Sequence, residues 1–345
     1  MKQNFKLLIV AFFAFVLFHS CSDDSTVMRQ NITGRANEIL VVIAEDSWEG
    51  KPGELMRNTL GQPQIGLPQQ EPVFGLINVA PSAFKKIFKT TRNIIQVRIS
   101  STISTPEVLM KDNAWAFPQA TVEIKAKDAE QFEQLFNENS NKILSYFISA
   151  EKKRLAATYE KSYEKIIYNV LNNEFGLTMK VPPGFVVAKK DTDFIWYKYE
   201  TPDISQGIIL YSFPYKSDST FTVNYLVALN DSVLRKNIPG PLAGSYMSIE
   251  KRLDQFFTIT EHNKNYASEM RGLWRLENDY MGVPYISLAE LDASNQRIVV
   301  AFGYVYAPSK DKRNFLQQVE AMIYTLKFKN QAENDKINSQ VKMGN

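Results

Sequence analysis

The segment 128–175, which contains neither glycine nor proline, most constrains what this chain can fold into. Apolar residues recur there at helical spacing, as Phe132 and Phe136 do, which predicts one long helix or two helices end to end. The weakest point is expected at Asn137–Asn141, because Asn and Ser side chains compete for helical backbone hydrogen bonds. Gly176 is the expected C-cap, so we place a domain boundary there.

The N-terminal half alternates short apolar runs with short helical patterns. Strands are predicted within 38–46, 73–81, 93–100 and 114–126, and helices within 54–60 and 81–89. These elements predict an N-terminal α+β domain at 36–176, which includes the long helical segment. Helices are expected to cover one face of its small sheet.

Aromatic and β-branched runs fill the C-terminal half, 177–330, which is predicted to form an antiparallel sheet. The expected strands are 193–200, 207–215, 221–230, 272–278, 283–291 and 297–307. A final helix is predicted within 314–329. The opening "LTMKVPPGFVV" and the closing "NFLQQVEAMIYTLKFK" resemble the PsbP-like family, which implies an α/β/α sandwich. The predicted fold class is α+β: two antiparallel-sheet sandwich domains with helices packed on the sheets, joined by a long helical segment.

The only cysteine, Cys21, follows the apolar run Leu7–Phe18, which itself comes after two lysines. That run has the form of a secretory signal and is shorter than the ~20 residues needed to cross a membrane. With the small residue Ser20 before it, Cys21 resembles the acylated cysteine of a lipoprotein box. We therefore expect residues 1–20 to be a signal peptide and Cys21 to carry lipid, palmitate included. The alternative is a secreted protein that is cleaved elsewhere and keeps a free thiol.

Residues 21–35 have the composition of a polar tether, in which Asp23 and Asp24 resemble the export signal of Bacteroidetes-type surface lipoproteins. The whole chain resembles an uncharacterised family of such lipoproteins, with a domain of unknown function. The resemblance implies a lipid anchor in the outer membrane, at the cell surface or on the periplasmic face, and it implies no activity. Residues 331–345 are expected to form a polar tail.

The charge balance limits the choice of partner. The chain has 40 Lys and Arg against 37 Asp and Glu, and the predicted signal peptide removes two lysines and no acids. A nearly neutral mature chain lacks the basic surplus typical of nucleic-acid-binding proteins, so we expect no nucleic acid as a partner. The expected partners are the membrane, through the lipid anchor, and an envelope protein or a glycan.

Sequence signals for catalysis are few. His262 is the only histidine after the signal peptide, and it is expected to face water. No motif for a serine nucleophile, a zinc site or a phosphate-binding loop occurs, so we assign no catalytic residue, no metal ligand and no cofactor. Carboxylates are concentrated within 277–292, and two facing carboxylates would suit a glycosidase. The alternative function is therefore a carbohydrate-active hydrolase that uses Glu277, Asp279, Glu290 and Asp292.

Aromatic residues crowd the C-terminal half, and strand alternation places them on both faces of the sheet. Exposed Trp and Tyr dominate binding surfaces, whereas buried ones fill cores. Charges flank Trp274, which is therefore expected at a sheet margin, and the loop Asn237–Met247 is expected to form a rim beside the binding face. The candidate binding surface comprises Trp196, Trp274, Tyr280 and Tyr285. A non-catalytic binding or structural role is the primary interpretation.

Overall fold

The structure is a computed structural model in which residues 29–278 and 282–329 are described. Its helices are α1 Glu45–Glu49, α2 Lys51–Leu60, α3 Ala129–Lys161, α4 Lys165–Val170, α5 Val223–Asn237 and α6 Arg313–Ile323. Within the described ranges, no helix is both long and apolar enough to cross a membrane. Cys21, the predicted signal peptide and the predicted tail lie outside these ranges.

The N-terminal sheet is built around the apolar strands that the sequence predicts. The strands of this half are β1 Gln30–Asn31, β2 Glu38–Val42, β3 Gly75–Val79, β4 Asn93–Ile99, β5 Glu107–Asp112, β6 Ala116–Phe117 and β7 Ala120–Ala126. The main sheet has the order β3–β2–β4–β7–β5, and β1 pairs with β6 separately. One face, with Ile39, Val41 and Ile95, forms a continuous apolar core with residues of α2 and α3.

Most pairings in this sheet are parallel, which corrects the antiparallel sheet expected for this half. β2 runs parallel to β3 and β4, and β4 runs parallel to β7, whereas β5 is antiparallel to β7. The connections explain this, because α1 and α2 return the chain from the end of β2 to the start of β3. The predicted α+β class is confirmed, since helices accompany a mixed sheet here and an antiparallel sheet in the other half.

The C-terminal sheet is antiparallel, as predicted, and helices cover both of its faces. The strands of this half are β8 Leu177–Thr178, β9 Val186–Asp191, β10 Phe194–Glu200, β11 Ser205–Pro214, β12 Tyr246–Ile249, β13 Phe256–His262, β14 Asn265–Glu277, β15 Gly282–Asp292, β16 Arg297–Tyr306 and β17 Lys327–Phe328. The order is β12–β14–β15–β16–β11–β10–β9, and β13 also pairs with β14. Helix α6 packs on one face through Leu316 and Val319, and α5 packs on the other through Leu226 and Leu234.

The long helix α3 is continuous through Asn137–Asn141, so the predicted weak point is wrong. Asn139 Nδ2 donates to the Leu135 carbonyl oxygen at 2.9 Å, a bond within the helix that does not interrupt it. The helix ends at Lys161. A π-helical turn follows α4 and ends at Gly176, whose φ of 66° confirms the predicted glycine cap.

Residues 221–230 belong mainly to the first part of α5, so the strand predicted there is wrong. Leu226, Asn230 and Leu234 are buried at four-residue intervals, a helical stripe that continues beyond the predicted strand. The aromatic and β-branched residues of this segment favour strands, and packing against the sheet overrides that preference. Residues 81–90 form two 3-10 turns in place of the predicted helix, and β5 is a strand that the sequence analysis does not predict.

Buried contacts connect the two halves. The Glu71 carboxylate accepts hydrogen bonds from the backbone N–H groups of Lys312 and Arg313, at 2.7 and 2.8 Å, and so caps the N-terminus of α6. Lys152 of α3 forms an ion pair with Glu320 of α6 at 2.7 Å. Helix α3 therefore packs on the N-terminal sheet and also contacts the C-terminal half, as a joining helix would.

Candidate functional site

Two residues of the predicted aromatic surface lie in the core. Trp274 is 4% exposed and lies in the apolar core between the sheet and α5, and β14 is paired with β12 on one side and with β15 on the other at this position. Tyr285 is fully buried, and its ring stacks on Phe302 with ring centroids 4.7 Å apart. The sheet-margin position expected for Trp274 is therefore wrong, and neither ring is placed to contact a partner. Tyr280 lies outside the described residues.

Trp196 of β10 keeps part of its ring at the surface. Its Nε1 donates a hydrogen bond to the Tyr304 hydroxyl oxygen at 3.1 Å. Tyr304 lies across Gly207, where an added Cβ would come within 2.3 Å of the tyrosine ring, so this close approach requires glycine. Burial raises the pKa of Tyr304, which keeps the phenol neutral. The orientation of the Trp196 ring is thus fixed by a buried tyrosine beneath it.

Trp196 borders an open groove of about 660 Å³ between β9, β10, β12 and the end of α5. This volume lies within the ~300–1,000 Å³ that is typical of ligand sites. No carboxylate belongs to the groove's lining in the described part of the chain. We define the cationic groove by five of its lining residues: Lys189, Trp196, Arg235, Lys236 and Tyr246.

The three cations of this groove lack acidic partners. No carboxylate of the described chain lies within ion-pair distance of Lys189, Arg235 or Lys236. Lys189 Nζ donates to the neutral Asn237 side chain at 2.8 Å, and the Arg235 guanidinium carbon lies 5.0 Å from the centre of the Tyr246 ring. Arg235 and Lys236 also lie in the last turn of α5, where positive charge complements the helix dipole. The groove therefore presents a positive charge that the surrounding protein does not neutralise.

The hollow next to the cationic groove differs because its lining includes acids, each of which is paired with a cation. It encloses about 700 Å³ and shares Arg235, Lys236 and Tyr246 with the groove. Its acids form the ion pairs Asp231–Lys251, Glu250–Arg252 and Glu277–Arg275. Hydrogen bonds and charge from Arg252 lower the pKa of Glu250 to about 2, so this carboxylate stays ionised and paired. The groove is thus the more favourable place for an added anion.

The loop that follows α5 forms one rim of the cationic groove. Pro239 forms a bridge with Tyr246, and the Gly240 N–H donates to the Ser245 carbonyl oxygen at 2.9 Å. These bonds hold the loop in a fixed conformation beside Trp196. The rim that the sequence predicts for this loop is therefore present.

His262 is buried, so the expectation that it faces water is wrong. Its Nδ1 lies 2.8 Å from Glu290 Oε2, and its Nε2 lies 3.2 Å from the Tyr324 carbonyl oxygen. Glu290 is buried as well and accepts a hydrogen bond from Asn265 at 2.6 Å. Both side chains are thus occupied by internal contacts that connect the sheet to the residues just after α6.

Among the described carboxylates of the alternative hydrolase interpretation, Glu277 lies apart from Glu290 and Asp292. Glu290 lies in register with Ala267, near the start of β14, whereas Glu277 is the last residue of that strand. Glu277 and Asp292 each form an ion pair with a neighbouring arginine. Asp279 lies outside the described residues. Within them, no group of three or more His, Cys, Asp or Glu is placed to hold a metal ion.

The basic residues of the groove were not predicted as site residues from the sequence. Arg235 and Lys236 follow the predicted strand 221–230, which ends too early to place them on any element. The helical stripe Leu226, Asn230 and Leu234 is the signal that would have extended the helix to them. Lys189 lies on the exposed edge strand β9, where the sequence gives no sign of a groove.

Comparisons with known families cover most of the chain. Residues 32–160 match a family described as Domain of unknown function (DUF8532). Residues 164–325 match a second family, described as Domain of unknown function (DUF4837). Neither description names a function. A search of curated proteins finds no match.

Solved structures with some likeness cover less than half of the chain. The Ran-binding protein Mog1p of Saccharomyces cerevisiae is 12% identical, with a TM-score of 0.31, and the match covers 45% of this chain and 90% of Mog1p. The human StarD13 (DLC2) lipid transfer and protein localization domain is 9% identical, with a TM-score of 0.22, over 43% of this chain and 88% of that domain. Likeness at this level assigns neither a fold nor a function to this chain.

Proposed function

We propose that this protein is a non-catalytic binding protein of the cell envelope, held to a membrane by lipid on Cys21, and that its cationic groove binds an acidic saccharide. The observation that carries the proposal is the grouping of three cations without acidic partners and two aromatic rings around one groove. The buried His262–Glu290 pair and the paired acids of β14 and β15 support a role without catalysis.

The chemistry of the groove favours an acidic sugar over a neutral one. Guanidinium and ammonium groups form strong, charge-assisted hydrogen bonds with carboxylate or sulfate oxygens. Trp196 and Tyr246 supply flat apolar surface beside these donors, and such surface packs against the apolar face of a sugar ring. The exposure of Arg235 and Lys236 leaves them accessible to a chain that lies along the groove.

Replacing both Arg235 and Lys236 with Glu is expected to weaken binding of tetragalacturonate by about a hundredfold. Each charge-assisted hydrogen bond contributes roughly 1.5–3 kcal/mol, and 1.4 kcal/mol is tenfold in affinity. Isothermal titration calorimetry on the chain from Ser22 onward measures the effect, with neutral maltotetraose as a second probe. Lys216→Glu, a single charge reversal at an exposed position before the N-terminus of α5, is the control for charge change outside the groove.

Tetragalacturonate is expected to bind the unaltered chain and the Lys216→Glu control equally. Binding to maltotetraose is expected to be weak or undetectable. Equal binding of both sugars, or equal loss of binding in the control and the groove variant, would contradict the proposed specificity.

Replacing Cys21 with Ser is expected to release the protein from the membrane fraction. The acyl chains are the proposed anchor, and several chains together hold a protein almost permanently, whereas one holds it weakly. Detergent-phase partition compares this variant with Ser22→Ala, which keeps the cysteine, and mass spectrometry detects the acyl groups. Undiminished partition of Cys21→Ser into the detergent phase would contradict the anchor.

A further inference from the structure

The described chain begins beside a second, basic cavity in the N-terminal half. β1 runs parallel to β6, and the Ile32 N–H donates to the Phe117 carbonyl oxygen at 3.2 Å. Asn31, Ile32 and Phe117 line one side of a cavity of about 560 Å³, and Lys153 and Lys161 of α3 line the other. The described chain therefore begins at the wall of this cavity, eight positions after Cys21 in the sequence.

Five lysines, of which four are exposed and Lys89 is half-buried, surround the start of the described chain. Lys153 and Lys161 are eight residues apart on α3 and so lie on one face of the helix. On the other side of β1, the Thr33 N–H donates to the Thr90 carbonyl oxygen at 2.8 Å. This bond places the second 3-10 turn, Lys86–Thr90, close to β1; we call it the basic 3-10 turn. The lysines of that turn and its start are Lys85, Lys86 and Lys89.

None of these five lysines has an ion-pair partner within the described chain. Two acids lie at or near the cavity. Buried Glu151 pairs with Arg92 and Arg154, and Asp112 accepts the Tyr146 hydroxyl at 2.7 Å and keeps its negative charge. Asp112 and the two aspartates of the predicted tether give three negative charges against the five lysines, so positive charge exceeds negative charge around the start of the described chain.

Two large apolar side chains stand exposed among the lysines. Ile87, on the basic 3-10 turn, is 76% exposed, and Phe117, in the wall of the cavity, is 57% exposed. Exposed bulky apolar groups ringed by lysine are typical of surfaces that lie in the headgroup region of a bilayer. Lysine contributes there through attraction to anionic lipid and through its long apolar stem.

The tether limits how far this surface can lie from the membrane. Cys21 and Arg29 are eight positions apart, so the chain between them spans no more than about 29 Å even when fully extended. A lipid on Cys21 therefore keeps the surface around β1 within that distance of the bilayer. This one face therefore carries the exposed side chains of Ile87 and Phe117, the lysines without ion-pair partners, and the end of the tether.

We propose that this face, which we define by Lys86, Ile87, Phe117, Lys153 and Lys161, docks on the anionic headgroups of the membrane that carries the anchor. Phe117 and Ile87 enter the interface, and the lysines contact headgroup phosphates. The proposal rests on the proposed lipid anchor, which supplies the proximity. The lipid anchor alone would tether the protein, whereas docking of this face would also fix the orientation of the protein on its membrane.

The test uses the chain from Ser22 onward, which lacks the cysteine and its lipid. We expect it to float with vesicles of mixed phosphatidylcholine and phosphatidylglycerol and to stay behind with pure phosphatidylcholine. Replacing Lys153 and Lys161 with Glu is expected to weaken flotation at least about tenfold. Phe117→Ser is expected to weaken it as well, whereas Lys216→Glu, a single charge reversal elsewhere, is expected to leave it unchanged.

A second measurement locates the docking face directly. A Phe117→Trp variant is expected to show fluorescence quenching by brominated lipids in the mixed vesicles. Absence of flotation with the mixed vesicles, or equal loss in Lys216→Glu, would overturn the docking face. Because these chains carry no lipid, the outcome is independent of whether Cys21 is acylated, and absence of acyl groups on the native protein would overturn the anchor alone.

Discussion

Replacing Arg271 with Met is expected to lower the free energy of unfolding by about 3–5 kcal/mol, because it removes the arginine charge from buried Glu320 and partly buried Glu269. Arg271 Nη2 lies 2.8 Å from Glu320 Oε1, and its Nε lies 2.6 Å from Glu269 Oε1. Lys152 binds Glu320 from α3, and the Tyr324 hydroxyl donates to Glu269 at 2.6 Å. The arginine thus holds together a network that joins the C-terminal sheet to α3 and α6.

The pH dependence of stability follows from the same network. Burial acts to raise the pKa of Glu320, but the charges and hydrogen bonds of Arg271 and Lys152 outweigh it and lower the pKa from 4.5 to about 2. A lowered carboxyl pKa stabilises the folded state above the unfolded value, and this contribution is lost as the pH falls from about 4.5 through about 2. The loss is expected to be smaller in Arg271→Met.

Urea unfolding followed by circular dichroism, at neutral pH and at acid pH, measures both effects. Arg35→Met is the matched control, because it removes a solvent-exposed arginine whose ion pair with Glu38 is long, at 4.0 Å. Its unfolding transition is expected to stay close to that of the unaltered chain. Equal transitions for Arg271→Met and the unaltered chain would contradict a stabilising network.

Trp274→Ala is expected to cost about 3–5 kcal/mol of stability, the range for removing a large aromatic side chain from a core. The Trp274 ring packs edge-on against Tyr304, with ring centroids 5.6 Å apart. Its Nε1 has no hydrogen-bond partner in the described residues, so the loss is one of packing. Because Tyr304 binds Trp196, the change is also expected to loosen the groove.

Trp196→Ala is the matched comparison for Trp274→Ala. Its ring is half-buried at the groove, so its removal is expected to leave most of the stability and to weaken tetragalacturonate binding. Unfolding and calorimetry on both variants separate the two roles. A stable Trp274→Ala protein with unaltered binding would contradict its assignment to the core.

The sequence predicted those helices, caps and strands whose conformation depends on residues within the same segment. The absence of glycine and proline over 128–175 predicted the long helix, and the left-handed conformation available to glycine predicted the cap at Gly176. The apolar runs of β2, β4 and β7 predicted strands for the same reason. In each case the deciding interactions lie within the segment itself.

Features decided by distant partners were not predictable from the sequence. The direction of pairing in the N-terminal sheet depends on crossover connections, and Trp274 is buried because α5 packs on its face of the C-terminal sheet. His262 is buried because Glu290, distant in sequence, supplies a partner for its ring. The preference of residues 221–230 for strand yields to packing of α5 on the sheet.

In the candidate site, too, features of a single segment were predicted and features that depend on distant segments were not. Trp196 and the rim loop were predicted, since an aromatic strand and a loop rich in Pro and Gly are local features. Lys189, Arg235 and Lys236 come together only because α5 ends over the edge of the sheet beside β9 and β10. Sequence spacing gives no sign of that convergence.

The indole N–H signal of Trp196 tests the central claim most directly. Nuclear magnetic resonance of the chain from Ser22 onward, labelled with ¹⁵N, follows the four tryptophans, with Trp196→Phe to assign the signal. On titration with tetragalacturonate, we predict that the Trp196 signal shifts and saturates, while the buried Trp274 signal moves little. An unmoved Trp196 signal at high saccharide concentration, or the same shift in the Arg235→Glu and Lys236→Glu double variant, would contradict the account.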